Sequence, residues 1–204
     1  MKIINYKPHL RRLLDNILPL RNDEWDFVEA VFEGKIYNKN EIITHAGEIE
    51  NYMYFLVHGA VRSFHKALDQ EYTMGFKTAP SAFSCYTSFI KREPSKTSYI
   101  AMTKVVAFRL SYDNMEMLYD TIPRVEKLSR IFLQLAFVEK ETKEFNLQTK
   151  SATDFYKELC LQYPELVKIV PQKHIASYMG IAPESLSRIK KQLKNNKDLI
   201  PHNE

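Results

Sequence analysis

The amino-acid sequence predicts an α+β fold: a domain of short strands preceded by helices, one long helix, then a compact helical segment. Three observations carry this. Between Gly34 and Leu110, short apolar runs alternate with Gly and polar breaks, which is strand texture. Residues 123–149 hold no Gly and no Pro after Pro123, so nothing interrupts a helix of about 40 Å at the usual rise per residue. The stretch Pro171–Lys194, PQKHIASYMGIAPESLSRIKKQLK, reads as two short helices joined by a tight turn.

Taken in order, residues 7–33 read as two helices broken near Pro19. Leu10, Leu13, Leu14, Ile17 and Leu18 form one apolar stripe. Asn22 is placed to cap the second helix, with Asp23 and Glu24 in its positive first turn. Trp25, Val28, Ala30, Val31 and Phe32 are expected to face the core. From Gly34 the strands begin, with Gly47 and Gly59 between them. Tyr52–Val57 is an unbroken apolar run, as a buried strand requires. Glu71–Lys77 alternates, with Tyr72, Met74 and Phe76 on one side. Val105–Leu110 also alternates, with Val106, Phe108 and Leu110 together. Many short strands at close spacing predict a barrel or jelly roll.

Ser111 starts a helix through Tyr119, and Pro123 opens the next one, where a missing N–H costs nothing. Within 123–149, Leu128, Ile131, Leu135, Val138, Thr142 and Phe145 recur at spacings of three and four. That is a heptad seam weakened by Thr142, and it predicts a dimer through this helix. A helix lying on its own β-domain would use the same stripe. Ser151–Tyr163 is a further helix ended by Pro164, and Glu165–Val170 reads as a short link. The predicted domains are therefore 1–122, 123–149 and 150–204.

In the last of these, Ile175, Ala176 and Met179 make an apolar face at helical spacing. Gly180 follows where a left-handed helix stop favours a residue without Cβ. Pro183 then opens a second helix whose inner face is Leu186, Ile189 and Leu193. Ala176 is small enough for two helices to cross closely. This is the pattern of a DNA-binding helix-turn-helix. On the outer face of the second helix, Glu184, Arg188, Lys191 and Asn195 cluster, with Ser187 at the edge. Arg donates two hydrogen bonds to guanine and Glu accepts from cytosine, so Glu184, Ser187, Arg188 and Lys191 are the candidate base contacts. Gln172, Lys173, Lys190 and Lys194, with Lys197 beyond them, are the candidate phosphate contacts. A solvated amphipathic hairpin is the alternative from these residues alone. The polar tail after Lys194 is expected to fray, and it does not supply the strands of a wing.

The net charge of +4 and pI near 8.9 fit nucleic-acid binding without requiring it. The 45% hydrophobic content suffices for a sizeable core. Cys85 and Cys160 stand far apart in unlike contexts, with no CxxC or Cys/His cluster for zinc or iron–sulfur. The N-terminal MKIINYKPHLRRLL lacks the apolar run of a signal peptide or membrane anchor, so a cytoplasmic location is expected.

In this order of elements, and above all in IASYMGIAPESLSRIKK, the chain resembles the Crp/Fnr superfamily of transcription regulators over roughly residues 6–195. The resemblance implies an N-terminal double-stranded β-helix (a jelly-roll-like β-roll related to cyclic-nucleotide-binding domains), a long dimerisation helix and a C-terminal helix-turn-helix. It implies double-stranded DNA, a second copy of the chain and RNA polymerase as partners. By position, Glu184 and Arg188 match the family's base-contacting Glu and Arg. Ala182 departs from it, standing where a capping Ser or Thr is usual.

The family's phosphate cassette carries Gly-Glu and then an Arg. Here Phe83-Ser84 and Ser95-Lys96 stand in those places, and Arg92 is out of register. Lys does not reproduce the planar guanidinium fork. Cyclic AMP is therefore not expected as effector, and no cofactor is predicted. Ser84, Tyr86, Ser95, Lys96 and Tyr99 remain a candidate effector pocket, with Phe89 beside them. Two other function classes compete. His45, Glu48, His58 and His65 suit a metal-dependent cupin-like enzyme, but the His-x-His pair is missing and no metal site is predicted. A protein-interaction module without DNA binding is the other. No nucleophile elbow, P-loop or GxGxxG is present, so no enzyme is predicted.

Overall fold

A computed structural model describes residues 3–195. Lys197 and the polar tail lie outside the described residues. The chain divides into two compact units. One holds residues up to His65 together with Gly75–Phe137; the other holds Lys66–Met74 and the chain from Val138. This division runs through the long helix and moves one hairpin tip into the C-terminal unit, which the predicted boundaries at 122 and 149 do not.

The first unit opens with α1 (Lys7–Asp15) and α2 (Asn22–Ala30). Its strands are β1 (Glu33–Tyr37), β2 (Ile42–Thr44), β3 (Tyr52–His58), β4 (Ala60–Ala67), β5 (Gln70–Thr78), β6 (Ser81–Phe83), β7 (Ser98–Ala101) and β8 (Val105–Ser111), with α3 (Tyr86–Lys91) between β6 and β7. They form two four-stranded sheets, in the orders β1-β8-β3-β6 and β2-β7-β4-β5. The registered pairs β1–β8, β3–β8, β3–β6 and β4–β7 are all antiparallel. Sequence neighbours β1 and β2 lie in different sheets, the crossover pattern of a β-roll.

Strand alternation separates two cores. Val106, Phe108 and Leu110 of β8 join Phe55 and Val57 of β3 under the helices, against Leu10, Leu13, Leu14, Trp25 and Val28. Val105 and Ala107 face the other way, into the roll, with Tyr37, Tyr54, Leu56 and Phe83. Gly59 turns β3 into β4 at φ +93°; a Cβ there would stand 2.3 Å from the Lys104 carbonyl oxygen.

After β8 come α4 (Tyr112–Thr121), whose Ser111 cap accepts from the Asn114 amide, and α5 (Pro123–Thr149). The second unit adds α6 (Ala152–Gln162), α7 (Pro164–Ile169), α8 (Gln172–Tyr178) and α9 (Pro183–Asn195). Among the described residues no strand follows β8.

Several expectations need correction. Arg21, not Asn22, is the N-cap of α2. The Glu24 carboxylate accepts from the Arg21 amide, while Asn22 Oδ1 accepts from Arg11. Ala30 is exposed rather than in the core. The predicted link Glu165–Val170 falls mainly in α7, because Pro164 starts that helix as well as ending α6. On β5 the alternation places Tyr72 and Met74 on one side without saying which side is buried; both are exposed, and Thr73 between them is buried. Alternation located the strand but not its buried face, since Thr73 packs against a helix remote in sequence. Leu128 lies in its own core with Val125 and Leu118, so it is not part of a free seam. Cys85 is buried and Cys160 half-buried, both as free thiols.

Candidate nucleic-acid interface

The helix pair α8 and α9 is held by local chemistry. Gly180 adopts φ +69°. The Ile181 amide donates to the Ala176 carbonyl at 3.0 Å and the Gly180 amide to Ser177 at 3.2 Å. These two bonds make a Schellman stop, which ends α8 and aims the chain into α9. Ile175, Ala176, Met179, Leu186, Ile189 and Leu193 are all buried. Their burial fixes which face of α9 remains open.

That face carries Glu184, Arg188 and Lys191, all exposed, with Ser187 half-buried at its edge. The three exposed groups fall within one stripe at about 100° per residue. Arg188 donates to Ser185 Oγ at 3.3 Å. Sequence reasoning missed Ser185, although its place three residues before Arg188 puts it within reach. Gln172 and Lys173 are exposed at the start of α8, and Lys194 is exposed on α9, whereas Lys190 is half-buried. The arrangement presents directional donors and acceptors on one helix, flanked by amines.

Along α5, Ile131 is half-buried, while Leu135, Val138 and Phe145 are 56%, 57% and 60% exposed. Thr142 is exposed and returns its hydroxyl to the Val138 carbonyl. The stripe is therefore open in a single chain from Leu135 onward, while Leu128 is buried and Ile131 half-buried.

The five candidate effector residues are engaged differently. Ser84 Oγ donates to the Tyr52 carbonyl at 2.9 Å, and buried Ser95 donates to Thr97 at 2.8 Å. Lys96 is exposed, with its carbonyl oxygen 2.7 Å from His65 Nδ1. Tyr86 lies on α3, where burial and the nearby Tyr119 raise its pKa. Tyr99 lies inside the roll, its ring 4.6 Å from Phe83, which stacks at 4.9 Å on Tyr54. Tyr54, Phe83 and Tyr99 thus form a row of aromatic rings inside the roll. Arg92 is committed elsewhere. In left-handed backbone at φ 57°, it donates to the Glu50 carbonyl at 2.7 Å and lies 4.7 Å over the Tyr112 ring. Among the described residues, no three of His, Cys, Asp and Glu gather as a metal site.

Comparison with known proteins agrees with this architecture. Residues 35–121 match the family model of the cyclic nucleotide-binding domain. No curated protein matches the sequence. Among solved structures, FixK2 from Bradyrhizobium japonicum is 20% identical, with TM-score 0.67 over 82% of this chain and 86% of that one. A transcriptional regulator assigned to the Crp/Fnr family from Eubacterium rectale is 12% identical, with TM-score 0.68 over 87% and 85%. The c-di-GMP-responsive regulator CLP from Xanthomonas campestris is 15% identical, with TM-score 0.66 over 90% and 96%. No helix among the described residues is long and apolar enough to cross a membrane. Residues 35–121 are thus similar to a cyclic nucleotide-binding domain, and the chain has the fold seen in these solved regulators.

Proposed function

We propose that the chain is a homodimeric, sequence-specific DNA-binding regulator that reads an inverted repeat, works in the cytoplasm and catalyses no reaction. The observation that carries this is the open face of α9, where Glu184, Arg188 and Lys191 project from a helix whose other side is buried. Such a helix fits the major groove. The open stripe on α5 supports the dimer, since Leu135, Val138 and Phe145 lack a partner face in one chain. A two-fold dimer presents two recognition helices, so half-sites should lie about 34 Å apart. RNA polymerase is the further partner this reading implies.

The filled interior of the roll supports an effector other than cyclic AMP or cyclic GMP, or none. The test of function is selection of bound sites from random duplex DNA. An inverted repeat with about one turn between half-site centres is expected. Enrichment of no sequence, or binding that ignores salt, would overturn the proposal, because phosphate contacts release counterions.

A further inference from the structure

The tip of the β4–β5 hairpin belongs to the same compact unit as α8, and three side chains join them. The Thr73 amide donates to Ser177 Oγ at 2.9 Å, and Ser177 Oγ donates onward to the Glu71 carbonyl at 3.4 Å. Lys143 of α5 donates to the Met74 carbonyl at 2.7 Å, and its ammonium lies 4.0 Å from the Tyr178 ring. The same ring lies 6.1 Å from Phe155 of α6. Ser177 is on the side of α8 away from the buried Ile175, Ala176 and Met179, with Tyr178 at the flank between. The hairpin tip therefore grips the back of the helix-turn-helix, and Lys143 ties both to α5.

The composition of this node is informative. Leu68 at the hairpin turn adopts φ 53° and is 96% exposed, so the tip buries little apolar surface of its own there. The tip residues Glu71, Thr73 and Met74 are held by backbone hydrogen bonds to Ser177 and Lys143. Thr73 is nonetheless 4% exposed. Polar bonds to backbone fix direction more sharply than apolar contacts do. In a two-fold reader, the angle between α5 and α8 sets the distance between the two recognition helices.

We propose that Lys143 and Ser177 are positioning residues that fix half-site spacing, by latching α8 to α5 through the hairpin tip. This rests on the DNA-binding reading above. Neither residue touches the face of α9 that reads bases, so the latch acts on geometry and not on base contacts.

The test compares the full chain with its Lys143→Met, Ser177→Ala and Tyr178→Phe variants. Each is titrated with an isolated half-site and with inverted repeats whose spacers differ by single base pairs. Lys143→Met and Ser177→Ala should bind the half-site within about twofold of the parent, yet lose about tenfold on the best repeat, the scale of one lost hydrogen bond. Their preference among spacers should flatten. Tyr178→Phe keeps the ring under the Lys143 ammonium, so it reports what the Tyr178 hydroxyl adds to the latch. Unchanged spacer preference in Lys143→Met, or an equal loss on half-site and repeat, would overturn the proposal. Hydrogen exchange at the Thr73 amide gives a readout that needs no DNA. It should quicken in Ser177→Ala and Lys143→Met, and continued protection would refute the latch. If the parent binds no duplex at all, the DNA reading falls and the spacing role falls with it. The exchange result still decides whether the latch exists.

Discussion

Arg188 and Glu184 leave the same face of α9 into different surroundings. A salt bridge between them is an obvious expectation at this spacing, yet Arg188 is held by Ser185 Oγ. Among the described residues no hydrogen bond or ion pair holds the Glu184 carboxylate, which would let it accept from a base. Arg188→Ala should cost about 1–3 kcal/mol on the selected site and relax preference at one base pair. Titration on the selected and scrambled duplexes checks this; unchanged affinity and unchanged preference would remove Arg188 from the readout. Lys194 is exposed on the flank and should act through phosphate. Lys194→Ala should weaken all duplexes alike and lower the salt slope by about one. A loss confined to the selected sequence would make it a base contact instead. Lys143 is the contrasting lysine. Burial, opposed by Glu139, lowers its pKa to about 8, and its ammonium serves the hairpin tip and not DNA.

Among the elements, α5 does two jobs along one length. Its start is core: Val125 and Leu128 are buried with Leu118 and Ile122. Further on, Leu135, Val138 and Phe145 are open. A dimer seam on this helix would begin at Ile131 and so be shorter than the heptad pattern suggests. Leu135→Lys should convert the dimer to a monomer by light scattering, because it sets like charges face to face. The start of α5 should be untouched, so circular dichroism should stay near that of the parent. A dimer that survives Leu135→Lys would place the interface elsewhere. The hairpin β4–β5 is also divided: its strands complete a sheet, while its tip joins the helices of the other unit.

For the molecule as a whole, two properties follow from what fills it. The interior of the roll is aromatic, with Phe83 between Tyr54 and Tyr99. Calorimetry with cyclic AMP or cyclic GMP should show no saturable binding at micromolar ligand. Tight binding of either would mean the rings move apart. Burial also pushes the pKa of Tyr37 and of Tyr178 up to about 12. A raised pKa means the folded chain keeps a proton the unfolded chain releases. The stabilisation is complete below pH 10, the ordinary tyrosine value, and is lost as pH rises from there toward 12. Tyrosinate absorbance should therefore rise in part only together with loss of the circular dichroism signal. Full ionisation before any unfolding would refute this. Tyr37 tests the roll and Tyr178 the helical unit, so Tyr37→Phe and Tyr178→Phe separate the two.

Much of this molecule is determined locally. Pro123, Ser111 and Ser151 mark helix starts because capping and proline geometry act within one turn. The turn at Gly180 and both faces of α9 were legible for the same reason: their hydrogen bonds and helical period span few residues. Even the two faces of β8 followed from alternation alone. What tertiary structure decided involves partners distant in the chain. Period two cannot tell which side of β5 is buried when the covering residue is Ser177, more than a hundred positions away. Leu128 fits the heptad, but the core contributed by α1 and β3 claims it. Arg92 looked like a displaced phosphate ligand until Glu50 and Tyr112 were seen to hold it. The sequence by itself therefore determined the elements and the exposed face of α9, through short-range periodicity and capping. Which polar groups are already engaged, and which surfaces remain open, was decided only when the chain closed on itself.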